Sequence, residues 1–259
     1  MLFQTVYGVE LEAIYQFIIT TVKHKSPVSV RLVYQMFIEQ NPDGTTVGTQ
    51  SIDDALRVLY AAFLIEISDD QMVSCSPTDP PFCSQMLSAI RALEIGTLPA
   101  RQPIDQLYGL LLTELFIKPN TLFIMDVHTA ANQLAVVQAH GGLSREKIQA
   151  WKRVMEFLGV GRRAFNGFQC VYHPKLIQVI LERWDHPHDT LYQFLTSHLA
   201  RYIPFATYSG ELANAALIPL LHLQNQGILT LSSLQDSPSP AYGGSAQYRA
   251  IQKATNSYD

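Results

Sequence analysis

Eight residues in the middle of the chain have the side-chain types that recognition of a polyanion requires: Arg145, Gln149, Lys152, Arg153, Arg162, Arg163, Asn166 and Lys175. Arginine and glutamine can make paired hydrogen bonds to the edges of guanine and adenine. Lysine and arginine neutralise phosphate. The charge distribution singles out the same stretch. Residues 143–175 carry a net charge of +5, although the whole chain is at −4. An acidic molecule that gathers its cations in one stretch has the electrostatics of a localised anion-binding face. If about four of these cations met phosphates, affinity would fall with salt at a log–log slope of about −3 to −4.

Other groupings carry less chemistry. The string DHPHD places Asp185, His186, His188 and Asp189 close together, but a hydrolytic metal site needs further His and Asp ligands, and none is evident. A solvated joint is the simpler reading. Cys75, Cys83 and Cys170 form an odd set without CxxC spacing. That suits a reduced, cytoplasmic interior better than a disulfide framework, and Cys75 and Cys83 with His173 would be an unconventional zinc set. GxxxxGK[ST] and GxSxG are both missing, and the remaining histidines stand alone. The expectation is therefore no catalytic residue, no metal and no cofactor, with an enzyme site at a junction between units only a remote alternative.

The elements that must position the basic residues are legible. SREKIQAWKRVMEFL reads as a helix with Ser144 as its cap, leaving other N–H groups at its start to meet a phosphate. On a helical wheel Ile148, Trp151, Met155 and Leu158 form the core face, with Val154 at its edge. Arg145, Gln149, Lys152 and Glu156 line the opposite face, with Arg153 beside them. Glu156 would repel phosphate. GRRAFNGFQCVY then reads as a β-hairpin turning at Asn166–Gly167.

The same order of elements extends along the chain. EAIYQFI, DQLYGLL and DTLYQFL each open an amphipathic helix, and AAFLIEI, MEFLGVG and NQGILTL each run from a helix end into a β-prone stretch. Helices are expected over residues 11–23, 51–62, 104–117, 125–139, 144–158, 189–202 and 211–225, with a second helix of the first unit entered at Ser26 and Pro27 and ended by NPDG. Thr49 or Ser51 would cap the third helix. The fold class is mainly α with short β-hairpins, α+β. The expected units are residues 1–79, 104–183 and an abbreviated 184–259, with a linker and helix at 80–103. PTDPPF is read as a linker, WDHPHD as the joint before the third unit, and DSPSPAYGGS as its hairpin loop.

Three helices followed by a β-hairpin resemble the winged-helix form of the helix-turn-helix, here as tandem units. The resemblance is at the level of the superfamily. It implies that the third helix of a unit reads the major groove and that the hairpin, or wing, touches flanking phosphates. Double-stranded DNA is then the expected partner of the middle unit, through all eight residues named above. The setting would be an accessory or regulatory subunit in transcription, restriction and defence, or recombination.

The first unit argues otherwise for itself. Residues 1–79 have a net charge of −6, the third helix starts with Asp53 and Asp54, and the hairpin turns at Asp69 and Asp70. It suits a protein partner or a second copy, as does the apolar helix ELANAALIPLLHLQNQ with Pro219 inside. Only 15% of residues are charged, against about 25% in an average domain. Either a large core or surface covered by a partner explains that. The alternative function is a protein–protein adaptor built from winged-helix units without DNA contact. The apolar run IYQFIITTV is too short to span a bilayer, so no membrane is expected.

Overall fold

The computed structural model describes residues 2–24, 27–40, 42–43, 46–76, 81–233, 240–244 and 247–254. The linker reading at PTDPPF, the helix entry at Ser26 and half of the DSPSPAYGGS loop fall wholly or partly outside them. The chain forms two compact units, Met1–Gly109 with Asn132–Leu158, and Leu110–Ala131 with Gly159–Asp259. The architecture is mainly helical α+β, with small antiparallel sheets.

The elements are α1 (Gly8–His24), β1 (Val28–Ser29), α2 (Val30–Phe37), the strand pair β2 (Glu39–Gln40) and β3 (Thr46–Val47), α3 (Thr49–Ala61), β4 (Glu66–Ile67), β5 (Met72–Ser74) and α4 (Phe82–Glu94). A 3-10 turn (Pro103–Gln106) leads into α5 (Leu107–Leu112) and a π-helical turn (Thr113–Ile117). Then come β6 (Phe123–Ile124), α6 (Val127–Gln133), α7 (Ala135–Ala139), α8 (Arg145–Phe157), β7 (Arg162–Ala164) and β8 (Gly167–Gln169). The chain continues with α9 (Pro174–Glu182), β9 (His188–Thr190), α10 (Leu191–Gln193) with π and 3-10 turns to Arg201, α11 (Asn214–Asn225), β10 (Leu229–Ser232) and β11 (Ala250–Lys253).

One order recurs three times: helix, strand, helix, helix, strand, strand. In each case the first strand pairs with the third, giving sheets β1-β5-β4, β6-β8-β7 and β9-β11-β10, all antiparallel. The opening strands have only two or three residues. They add one edge to a hairpin, and so fix where the preceding helix delivers the chain.

Several expectations change. The second helix begins at Val30, because Val28 and Ser29 are in strand and the Ser29 hydroxyl accepts from Leu32 N–H at 3.2 Å. The third starts after Gly48, whose φ of 89° suits glycine, and neither Thr49 nor Ser51 caps it through its side chain. The helix expected over 125–139 is broken into α6 and α7. DTLYQFL does not open a first helix. Its start is strand β9, α9 precedes it, and WDHPHD runs from the end of α9 into β9, which contains its His188 and Asp189. Burial agrees: Tyr15 and Tyr108 are core residues, whereas Tyr192 is exposed.

In the first unit α1 buries Leu11, Ile14, Tyr15, Ile18 and Ile19 along one stripe. Trp151 is fully buried on α8, and its indole N–H donates to the Tyr108 carbonyl at 2.9 Å. In the second unit α11 packs on α9 and buries Ala215, Ala216, Leu220 and Leu223, while Ile218 is exposed and Leu217 and Leu221 are partly so. Pro219 has no N–H to give the carbonyl four residues back, that of Ala215. The Tyr172 N–H supplies that bond instead, at 3.0 Å, and the Tyr172 hydroxyl donates to Pro204 O at 2.5 Å. The helix therefore continues through its proline without an orphaned carbonyl.

Candidate nucleic-acid interface

The expected basic residues fall into both units: α8 lies in the first and β6, β7 and β8 in the second.

α8 starts and stops where its sequence indicates. Ser144 Oγ accepts from Lys147 N–H at 3.3 Å, and Leu158 is the C-cap. A hydrogen bond with Ser144 also holds the Glu146 carboxyl below the usual carboxylate range. Ile148, Trp151, Val154, Met155 and Leu158 are all buried, as the wheel requires. The polar face is only half open. Arg145 and Gln149 are exposed on its first two turns. Lys152, expected on the open face, is 4% exposed. Arg153 is half-buried, with its guanidinium carbon 5.3 Å from the centre of the Tyr7 ring. A helical wheel states which residues share a face. It does not state which stretch of that face other elements cover, and here α1 packs on α8 with Tyr7 just ahead of it. The exposed remainder, Arg145 and Gln149, can reach a base edge or a phosphate; Lys152 cannot without leaving its burial.

The hairpin keeps its cations in solvent. Arg162 and Arg163 are exposed on β7, and Arg162 Nε donates to Gln169 Oε1 at 2.7 Å, which fixes the guanidinium along the sheet. The turn is one residue earlier than NG suggests. Its corners are Phe165 and Asn166, and Gly167 already pairs with Ala164 inside the ladder. Glycine is required at 167 for a different reason. A Cβ there would lie 2.3 Å from the Ile124 carbonyl oxygen and 2.9 Å from the tip of the Phe123 ring, so β6 could not approach. Phe165 sits at φ 52°, unusual for a bulky residue, and is 93% exposed. Lys175 is exposed on the first turn of α9, which His173 caps by accepting from Lys175 N–H at 3.2 Å. Residues 157–181 contain Arg162, Arg163 and Lys175 and no acid.

Phe165 at the tip of the hairpin and Phe123 on β6 are the residues that sequence reasoning passed over. The available signal was an aromatic between two arginines and the turn, where solvation favours a polar residue.

The two acids at the start of α3 are engaged. Asp53 accepts from the Tyr34 hydroxyl, whose pKa is pushed up to about 12 by burial and by that carboxylate. Asp54 is buried and accepts from Gln50 Nε2 at 2.9 Å. A cleft of about 660 Å³ in this unit is lined by Gln4, Arg57, Tyr60, Arg101 and Gln102. Arg101 stacks on Tyr60 and Phe63 and pairs with Glu66, so its charge is already used. Among the described residues no three His, Cys, Asp or Glu side chains converge as metal ligands, and no helix is long and apolar enough to cross a membrane.

No family model, curated protein or solved structure matches the chain.

Proposed function

We propose that this is a DNA-binding protein built from three winged-helix repeats, residues 8–74, 103–169 and 174–253, and that it grips DNA through the β7–β8 hairpin. Support for the repeats comes from the recurring element order and from the pairing of first strand with third in every sheet. The observation that carries the DNA reading is the hairpin itself. Arg162 and Arg163 stand in solvent on β7, and residues 157–181 gather Arg162, Arg163 and Lys175 without an acid in the sequence. Such cations gain free energy from a polyanion by releasing its condensed counterions. Arg145 and Gln149 on the first turns of α8 supply a separate surface in the first unit, suited to base edges. The setting that fits is an accessory or regulatory subunit of an assembly acting on DNA. The test is binding of a fluorescent duplex at 50–200 mM salt. A negative log–log slope is expected, and Gln149→Ala is expected to change sequence preference more than salt response. Absence of binding across the series would replace this reading with that of a protein adaptor.

A further inference from the structure

The outer face of the β6-β8-β7 sheet carries a second feature. Residues paired directly across antiparallel strands point to the same side. Phe123 pairs with Gln169, and Gln169 with Arg162, so these three form one row. Ile124, Phe168 and Arg163 form the other row, and Phe168 is fully buried and packs edge-on against Phe116 at 5.7 Å. The Phe123 row is thus the outer one. Phe123 is 39% exposed although it sits on a sheet, and its ring lies over Gly167, where a side chain would otherwise stand. Two strands along the same row Arg162 is held by Gln169, and Phe165 projects from the tip. Asp126, the nearest acid in sequence, is turned toward Thr129, accepting from its N–H and its hydroxyl at 3.0 and 2.7 Å.

We infer that this face is a stacking platform for unpaired bases, and that the preferred ligand is DNA with a single-stranded segment beside a duplex. The inference rests on the DNA-binding reading and narrows it. A duplex offers a protein its groove edges and its phosphates, while the π faces of its bases are hidden in the stack. A ring whose tip rests over Gly167 on the sheet cannot wedge between stacked pairs. An unstacked base can stack against it, and the guanidinium at the far end of the row then meets a phosphate of the same strand. The row runs Phe123, Gln169, Arg162, so ring and cation stand two strand spacings, roughly 10 Å, apart with Gln169 between them, a separation that a base and a phosphate of one extended strand can span.

The experiment compares a blunt duplex, the same duplex with a single-stranded tail, and the tail alone, by fluorescence anisotropy with the full chain. The tailed duplex should bind roughly 5- to 100-fold more tightly than the blunt one, the range for one or two stacked bases. Phe123→Leu keeps apolar cover over Gly167 but removes the aromatic face, and should abolish most of that preference while leaving blunt-duplex affinity unchanged. Phe165→Ala, at an exposed tip, should reduce it without affecting folding. Equal affinity for tailed and blunt duplex, unaltered by either substitution, overturns the platform and leaves duplex binding standing. Failure to bind any of the three overturns both readings.

Discussion

Replacing Arg162 and Arg163 together by alanine tests the electrostatic reasoning most directly. Both side chains are exposed, so their loss costs the fold little. The effect on binding is calculable. Each phosphate neutralised on duplex DNA contributes about −0.9 to the slope of log affinity against log salt. Two such contacts contribute about −1.8, so between 50 and 200 mM salt they account for a loss of about 12-fold in the parent. The double variant should lack that component: weaker binding at low salt, and a slope shallower by about 1.8 for every sequence tried. Anisotropy titrations at four salt concentrations measure it. Lys152→Met is the matched control, because Lys152 is buried on α8 and should leave the slope within about 0.3 of the parent. If the double variant keeps the parental slope, the hairpin does not hold phosphates. If Lys152→Met flattens it instead, the open face of α8 extends further than its burial pattern allows.

Gly167→Ala should destabilise the second unit by about 1–3 kcal/mol, since the new Cβ meets backbone oxygen rather than a movable side chain; urea unfolding checks it. His198 donates from Nε2 to Ile180 O at 2.7 Å, and burial, the largest cause, lowers its pKa, with Arg201 and Lys253 adding to the shift. The unfolded chain therefore binds the proton more readily, so stability should be lost as pH falls below about 6.5, and His198→Gln should remove that component from a pH series of melting curves. Burial raises the pKa of all three thiols, that of Cys83 to about 11, and Cys170 is the most enclosed. At pH 8 a thiol reagent should modify Cys75 first and Cys170 only on unfolding, as peptide mapping would show.

How much of this was legible before the coordinates depends on how far each signal reaches along the chain. α8 was clear because its cap, its core stripe and its end all lie within fifteen residues. The opening strands were not, because two or three residues cannot display a period of two, and β1, β6 and β9 exist only through their partners. Asn166–Gly167 looked like a turn because NG is the commonest hairpin signal. The glycine answers instead to the closeness of β6, a long-range contact. Tyr192 matched the pattern of Tyr15 and Tyr108 by sequence alone, and its exposure reveals a different place in the fold. On the candidate site, exposure of Arg162 and Arg163 followed from their position at the end of a hairpin, whereas burial of Lys152 depended on a neighbouring element.

The repeats share an element order but differ in what they show to solvent, and that difference argues for division of labour among them. The first hairpin turns through Asp69 and Asp70, both exposed, and a polyanion gains nothing there. In the third, α11 packs on α9 and leaves Ile218 exposed, and His188, Asp189, Thr190 and Gln252 face a shallow cleft along the sheet. Among the described residues, only the middle hairpin combines exposed arginines, an aromatic tip and an acid-free sequence around it. At its tip Phe165 combines a positive φ with 93% exposure, and exposed aromatic surface and backbone strain both count against stability. Under the DNA-binding proposal, contact with a base would offset that cost, and Phe165→Ala should then weaken binding without weakening the fold.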